Sequence, residues 1–269
     1  MPVYLFALSQ VPDIKISDSL LIFLVLHLLV YPSSNGYNSY MDRDQNSIGG
    51  IKNPLPPTRE LLWVTVIMDI IAIALGCWIS IWFALALSAY ILASHAYSYR
   101  GIRLKKYPVA GFFTVIIFQG AVTFFMVYHG SSFSKTLQVP AMGMLASSLL
   151  IGSFYPITQV YQHEDDKKDG VISISYVLGY RGTFIFTALI YCFAMATLGY
   201  YFFKSGRQNN FFILATIMLP VLVYFFTWTL RVWSDRINAN FKNTMRMNVL
   251  AAGCSSLAFM IILIQRFFE

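Results

Sequence analysis

The sequence predicts an all-α, multi-pass integral membrane protein, and three observations support this fold class. The 269 residues are 57% hydrophobic and 17% aromatic, with a mean hydropathy of +0.62, far outside the usual composition of soluble domains. Apolar runs of about 20 residues, the length that spans a bilayer as a helix, recur along the chain. Only 12% of the residues are charged, and most of these lie between the apolar runs.

Eight full membrane spans are predicted, joined by short linkers. Met1–Gln10 is also apolar but too short to cross a bilayer as a helix. We therefore expect a truncated first helix, either a genuine half-span or the result of a start codon assigned too late. No long linker marks a second domain, so residues 1–269 are predicted to form a single transmembrane helical bundle. The predicted spans are 18–38, 60–80, 82–98, 109–129, 139–161, 182–203, 210–232 and 246–265.

The basic residues predict the orientation of these spans. Fourteen of the 19 Lys and Arg residues lie in alternate linkers, and the other five lie on the opposite side. By the positive-inside rule the basic linkers face the cytoplasm, at the inner membrane if the cell is bacterial. They include three polar loops, near 38–58, 97–108 and 162–180. Since topology accounts for the net charge of +7, we expect membrane lipid around the protein and no nucleic-acid partner.

Two polar motifs on this predicted face have the composition of a metal site. Asn38, Asp42 and Asn46 follow one another at intervals of four, so a helix would stack their oxygen atoms along one edge. Gln162 and Asp166 repeat the interval. Mg²⁺ prefers oxygen ligands and is usually held by one or two carboxylates plus substrate phosphates. We therefore predict that these five residues bind Mg²⁺ and that Asp42 and Asp166 are catalytic.

The alternative is that both motifs are solvated helix ends. For the neighbouring acidic residues taken singly, this alternative is the favoured interpretation. Those residues are Asp44, Glu164, Asp165 and Asp169.

The loop 97–108 between the motifs carries four cations within seven residues. Arg103 and Lys105 alternate with apolar residues, so an extended backbone would turn both cations to one side. There they could neutralise a diphosphate as its bond breaks, although positive-inside topology alone would also explain them. The residues predicted to bind a diphosphate are Asn38, Arg43, Tyr97, Arg103 and Lys105.

Asp69 is an ionisable residue in the middle of a predicted span. Ten residues beyond Arg59, it lies about 15 Å deep at 1.5 Å per residue, where a charge is costly and indicates function. His27 lies at a similar depth in the preceding span. If the two helices touch, the two side chains can pair as a catalytic acid–base couple near the acceptor. The alternatives are a buried structural pair, or a protonated Asp69 that is hydrogen-bonded to a backbone carbonyl. His95 and His163 are expected to be solvated.

Taken in order, these segments resemble the UbiA superfamily of intramembrane prenyltransferases. The family's first motif is similar to Asn38–Asn46, and its second is similar to Gln162–Asp166 followed by Gly170 and the Leu-Gly at Gly179. The 97–108 loop resembles the Tyr-Ser loop that the family has between them. Lys52-Asn-Pro-Leu-Pro resembles the element after its first motif. The resemblance spans nearly the whole chain.

This resemblance implies a bundle of about nine transmembrane helices, Mg²⁺ at the two motifs and an isoprenyl diphosphate as donor. It further implies that ionisation of the donor gives an allylic cation, which a lipophilic, aromatic acceptor captures. Ser39, Asn46 and Gln162 replace carboxylates of the family pattern, which should lower metal affinity. Three functions stay open: a prenyltransferase, which we favour, an intramembrane terpene cyclase, and a non-catalytic prenyl-lipid binding protein.

Overall fold

Apolar helices long enough to cross a membrane make up most of the computed structural model, which describes residues 1–43, 51, 54–266 and 268. Seven helical segments of this part meet the length and composition of a span, and two helices bent by 43° add an eighth. They agree with the eight spans expected from the sequence. The seven are Ile16–Asp42, Arg59–Ile79, Ile81–Ser98, Pro108–Ser131, Ala141–Gln159, Ile174–Lys204 and Phe241–Gln265, and the bent pair is Gln208–Ile217 with Leu219–Ser234.

Several spans consist of more than one helix. Two contain π-helical segments, at Val25–Val30 and Ile117–Val122, and short 3₁₀ turns cover Leu104–Lys106, Pro156–Gln159 and Arg236–Asn238. The α-helices of the described residues are α1 (Pro2–Gln10), α2 (Ile16–Leu24), α3 (Tyr31–Asp42), α4 (Arg59–Ile79), α5 (Ile81–Ser98), α6 (Pro108–Ile116), α7 (Thr123–Ser131), α8 (Ala141–Phe154), α9 (His163–Lys168), α10 (Ile174–Lys204), α11 (Gln208–Ile217), α12 (Leu219–Ser234) and α13 (Phe241–Gln265).

Helix α1 is as short as the sequence predicts, and it is buried from Val3 to Gln10 between α7 and α13. Its Phe6 is fully buried and stacks on Phe259 of α13 at 4.8 Å between ring centroids. Between membrane helices such contacts stabilise by van der Waals packing rather than by removal from water, and an aromatic pair adds about 0.5 to 1.5 kcal/mol. Packing rather than length therefore holds α1 in the bundle.

The first π-helical segment has a local cause in the sequence. Pro32 follows it inside a continuous span, and a proline there has no N–H to donate and clashes with the carbonyl four residues earlier. A π-helical turn widens the backbone at such a point. The span thus continues through Pro32 and carries the first polar motif on α3.

The second π-helical segment follows from a close approach between helices. Gly120 lies against α8, where a Cβ would stand 2.5 Å from the Cα of Ser148. The Ser148 hydroxyl accepts a hydrogen bond from the Ala121 N–H at 3.1 Å. This contact satisfies a backbone donor of the widened turn and fixes α8 against it.

Both polar motifs lie at one end of the bundle. Helix α3 ends at Asp42, where Arg43 adopts a left-handed backbone with φ of 55°. The short helix α9 begins after Gln162 and carries Asp166 in its first turn. After α9 the chain turns through Gly170, whose φ is 70°, into α10. This chain path brings the two motifs to opposite walls of one cavity.

Candidate functional site

A cavity of about 560 Å³ lies between the two polar motifs, and we call it the motif chamber. Asn38, Ser39 and Asp42 of α3 form one wall, and Gln162 and Asp166 form the opposite wall. Tyr97 and Lys105 also line the chamber. The structure therefore brings together six of the predicted site residues: Asn38, Asp42, Tyr97, Lys105, Gln162 and Asp166.

Asp42 is buried and bound by two cations of the 97–108 loop. Its carboxylate pairs with the Lys105 ammonium and lies 3.5 Å from the Arg103 guanidinium. Only 6% of the Asp42 side chain is exposed, and 11% of each cation. An unpaired carboxylate at a helix C-terminus would be repelled by the negative, carbonyl end of the helix dipole. Lys105 and Arg103 offset this repulsion by pairing with the Asp42 carboxylate.

Arg103 joins the two motifs. Besides Asp42, its guanidinium pairs with the Asp169 carboxylate after α9 and donates to the Asp169 carbonyl oxygen at 3.1 Å. The expectation that Asp169 is merely solvated is therefore wrong, because this residue is the second anchor of Arg103. Within the described residues, the buried Nε–H of Arg103 has no hydrogen-bond partner. Arg103 itself does not line the motif chamber, so it acts there through its pair with Asp42.

The 97–108 loop does not have the extended backbone predicted for it. Arg103 adopts a left-handed conformation with φ of 50°, and a 3₁₀ turn follows at Leu104–Lys106. Both cations nevertheless reach Asp42, because the turn rather than strand alternation directs them. Lys105 also donates to the Asn38 Oδ1 at 3.2 Å, and the Ser98 hydroxyl donates to the same oxygen at 2.7 Å.

Tyr97 reaches across the chamber to a second tyrosine. The Tyr97 and Tyr155 hydroxyls lie 2.5 Å apart, and the Gln159 Nε2 donates to the Tyr155 hydroxyl at 2.9 Å. These three side chains line the motif chamber. Tyr97 is therefore held at the wall of the predicted site by partners that the sequence pattern did not indicate.

Among the described residues, three predicted site residues do not line the motif chamber: Arg43, Asp69 and Arg103, of which Arg103 contacts the chamber residue Asp42. Arg43 is exposed at the end of α3 and does not line the motif chamber. Asn46 lies outside the described residues, as do Asp44 and Lys52. The predicted diphosphate contact of Arg43 and the predicted metal contact of Asn46 stay predictions.

The pairing expected between Asp69 and His27 is wrong. Asp69 accepts a hydrogen bond from the Ser33 hydroxyl at 2.6 Å and lies 2.9 Å from the His95 Nε2. His27 instead packs on Phe23 and contacts the Phe23 carbonyl through Nδ1 at 3.1 Å. The sequence could not choose between the histidines because the choice depends on which helix faces α4. Asp69 is buried and does not line the motif chamber.

Neither His95 nor His163 is solvated as expected. His95 is held by Asp69 and stacks on Tyr37 at 4.0 Å. His163 is buried at the start of α9, with its Nε2 2.7 Å from the Ser175 hydroxyl. Burial lowers the pKa of His163 to about 4. His163 is therefore neutral at pH 7 and anchors α9 to α10 by a hydrogen bond rather than by charge.

Two further cavities adjoin the motif chamber and were missed by the sequence analysis. The middle chamber, about 150 Å³, shares Asn38, Tyr97 and Tyr155 with the motif chamber. The far chamber, about 240 Å³, shares Asn35 and Gln119 with the middle chamber. A lone amide such as Gln119 in an apolar span was the available signal, because polar side chains at membrane depth commonly mark functional sites.

The donor set of the motif chamber fits Mg²⁺ that arrives together with a phosphate ligand. Asp42 and Asp166 supply one carboxylate from each wall, and Asn38 and Gln162 supply amide oxygens. Within the described residues no three Asp, Glu, His or Cys side chains are grouped closely enough to hold a metal. Mg²⁺ commonly binds through one or two carboxylates and substrate phosphates rather than in a complete protein cage.

Several solved structures share this fold, among them UbiA homologs from Aeropyrum pernix K1 and Archaeoglobus fulgidus. An apo UbiA homolog from Aeropyrum pernix K1 is 18% identical, with a TM-score of 0.69 and coverage of 94% of each chain. A UbiA homolog from Archaeoglobus fulgidus bound to DMAPP and Mg²⁺ is 18% identical, with a TM-score of 0.68 over 97% of this chain and 93% of that chain. A structure of digeranylgeranylglyceryl phosphate synthase is also 18% identical, with a TM-score of 0.65 over 98% and 92%.

At 18% sequence identity, these structural matches establish similarity of fold alone. No curated protein matches the sequence significantly. The model of the UbiA prenyltransferase family, however, matches residues 1–250, which is most of the chain and includes both polar motifs. The chain therefore belongs to the UbiA prenyltransferase family.

Proposed function

We propose that this protein transfers an isoprenyl group from an isoprenyl diphosphate to a lipophilic, aromatic acceptor within the membrane. The observation that carries the proposal is the motif chamber, which Asp42, Asp166 and Lys105 line together. Family membership supports the reaction class. The homolog from Archaeoglobus fulgidus, which binds DMAPP or GPP with Mg²⁺, supports the class of donor.

The diphosphate of the donor would occupy the motif chamber. Lys105 can bind its oxygens, and Tyr97 lines the same chamber. Arg103, which holds Asp42 from behind the chamber, adds positive charge nearby. When the carbon–oxygen bond breaks, the electron pair leaves with the diphosphate and the prenyl group becomes an allylic cation. Cations already fixed beside the leaving group stabilise the charge that develops there, without reorganisation during the reaction.

Mg²⁺ would be held by Asp42 and Asp166, with the amides of Asn38 and Gln162 as neutral ligands. When bound, it supplies positive charge to the diphosphate oxygens. In the structure Lys105 pairs with Asp42. We propose that Lys105 turns from Asp42 to the diphosphate when donor and metal enter, so that the charge of the chamber stays balanced.

The acceptor would attack the allylic cation from the adjoining middle chamber. Its π electrons form the new bond to the prenyl carbon, and the proton that it loses goes to the departing diphosphate. Tyr97 and Tyr155 line both chambers, and their π faces can stabilise the cation on its path. The catalytic role expected of Asp69 stays a prediction, which unimpaired turnover by Asp69→Asn would remove.

The location of the chamber supports an orientation. The motifs open at the end of the bundle that carries the more basic linkers, and we propose that this end faces the cytoplasm. Seven apolar spans and family membership make the protein a multi-pass integral membrane protein.

One experiment separates the proposed function from its alternatives. The purified protein is incubated with geranyl diphosphate and Mg²⁺, with and without a phenolic acceptor, and the released diphosphate and the organic products are quantified. Prenyl transfer predicts release that requires the acceptor. Release without an acceptor, accompanied by a cyclic hydrocarbon, would replace the proposal with a terpene cyclase. Binding of the donor without any release would indicate a non-catalytic prenyl-lipid binding protein.

A further inference from the structure

The carboxamides of Asn35 and Gln119 both line the middle chamber and the far chamber. Both side chains belong to membrane spans and are nevertheless exposed. Part of the surface that they expose lines the two chambers. Within the described residues neither amide has a hydrogen-bond partner. An unpartnered amide at membrane depth is costly unless a ligand or water meets it.

Both amides lie in or close to a π-helical segment. Gln119 belongs to the π-helical segment Ile117–Val122, and Asn35 follows the other π-helical segment, Val25–Val30, on α3. Isolated π-helical turns in α-helices are frequent at functional sites, because they redirect the side chains beside them. Asn35 also lies one turn before Asn38, so both belong to the face of α3 that lines the motif chamber.

Charge separates the middle chamber from the motif chamber. The motif chamber holds Lys105, Asp42 and Asp166, whereas within the described residues no charged side chain lines the middle chamber. A carboxylate placed in the middle chamber would lose its hydration without gaining a counter-ion there. A hydroxyl or carbonyl group would be matched, since each carboxamide offers both N–H donors and a carbonyl acceptor.

The size of the middle chamber fits one ring. An engineered protein cavity of about 150 Å³ binds a benzene molecule, and the middle chamber has about that volume. It adjoins the proposed diphosphate site through Tyr97 and Tyr155, where an acceptor must lie to meet the prenyl carbon.

We propose that the middle chamber selects an uncharged, single-ring acceptor whose hydroxyl or carbonyl group binds Asn35 and Gln119, and that it rejects carboxylate-bearing rings. This inference rests on the proposed function for its biological meaning, but the selectivity is a binding property that can be measured without turnover. Asn35 and Gln119 thereby become residues that determine acceptor specificity.

The test uses two ring compounds of nearly equal shape, 4-hydroxybenzamide and 4-hydroxybenzoate, which differ in charge at neutral pH. Binding of each radiolabelled compound to the full chain in nanodiscs is measured at equilibrium, and binding to empty nanodiscs is subtracted. We expect the wild-type protein to bind the amide at least about tenfold more tightly. Equal or tighter binding of the carboxylate would overturn the proposal, and this comparison requires no variant.

Variants test the assignment to the two amides. Gln119→Leu and Asn35→Leu should each weaken binding of 4-hydroxybenzamide about tenfold, the usual effect of losing one ligand hydrogen bond. Gln208→Leu is the matched control, because Gln208 is exposed at the start of α11 and lines none of the three chambers. Unchanged affinity in both chamber variants would overturn the assignment.

Binding of geranyl diphosphate to the same samples separates failure of this inference from failure of the proposed function. A protein that releases diphosphate from the donor but binds the carboxylate ring at least as tightly would keep the function and lose the inference. A protein that selects the uncharged ring through Asn35 and Gln119 but never releases diphosphate would keep the inference and lose the function.

Discussion

At the scale of single residues, the buried carboxylate of Asp42 determines how the 97–108 loop packs. A buried carboxylate requires a counter-ion, and removing one partner of such a pair typically costs about 3 to 5 kcal/mol. Lys105 and Arg103 supply two cations from a single turn. The loop is therefore held over the motif chamber by the residue that we expect to bind the metal.

Replacing Lys105 by Gln removes the ammonium from the chamber and keeps a side chain of similar length. We expect the dissociation constant for geranyl diphosphate with Mg²⁺ to rise about tenfold or more, since hydrogen bonds to charged groups are worth about 1.5 to 3 kcal/mol. Radioligand binding measures this constant. Lys106→Gln is the control, because Lys106 lies over the Tyr107 ring and does not line the chamber. Equal affinities of both variants would argue against a diphosphate contact of Lys105.

At the scale of helices, the packing of α8 on the second π-helical segment shapes the middle and far chambers. Gly120 lets the backbones touch, and the Ser148 hydroxyl satisfies the Ala121 N–H. Gln119 is adjacent in sequence, so its direction depends on the same contact. A change at Gly120 should therefore affect both stability and acceptor binding.

Gly120→Ala tests this contact. The added Cβ would lie 2.5 Å from the Ser148 Cα, so one of the two backbones must move. Overpacking of this kind costs about 1 to 3 kcal/mol, and we expect a lower thermal unfolding midpoint in detergent. Gly253→Ala in α13 is the control, because its Cβ meets nothing within 4 Å. There the better helix propensity of alanine should leave the midpoint unchanged or raise it. Equal effects at the two positions would contradict the account of the π-helical segment.

The lengths of the apolar runs predicted the spans well but not their interruptions. The eight expected spans follow from apolar length, which is a local property. The left-handed backbone at Arg103 and the turn at Leu104–Lys106 replaced a predicted extended segment, because the position of Asp42 rather than local propensity directs this loop. The prediction that Asp69 pairs with His27 was wrong for a similar reason, because tertiary packing determines which helices are neighbours.

At the scale of the whole molecule, the charged motif chamber adjoins the middle chamber, which no charged side chain of the described residues lines, and the middle chamber adjoins the far chamber. The motif residues of the first chamber could be predicted, because Asn38, Asp42, Gln162 and Asp166 share a spacing and a predicted side of the membrane. The middle and far chambers could not be predicted, because their walls combine residues from helices that are distant in the sequence, such as Asn35 and Gln119. The sequence therefore predicted the charged residues of the motif chamber, because charged residues are rare in this chain. It did not predict the residues that we propose for acceptor specificity, because their proximity depends on helix packing.

The central claim is that the motif chamber ionises an isoprenyl diphosphate with Mg²⁺ held by Asp42 and Asp166. The most direct test is Mg²⁺-dependent release of diphosphate from geranyl diphosphate, with the phenolic acceptor present, by wild type and Asp42→Asn. Glu164→Gln serves as the control, because Glu164 is exposed in the first turn of α9 outside the chamber wall. We predict that Asp42→Asn loses about a hundredfold or more in rate, the scale of removing one preorganised electrostatic group, while Glu164→Gln stays at the wild-type rate. Full Mg²⁺-dependent release by Asp42→Asn would contradict the claim.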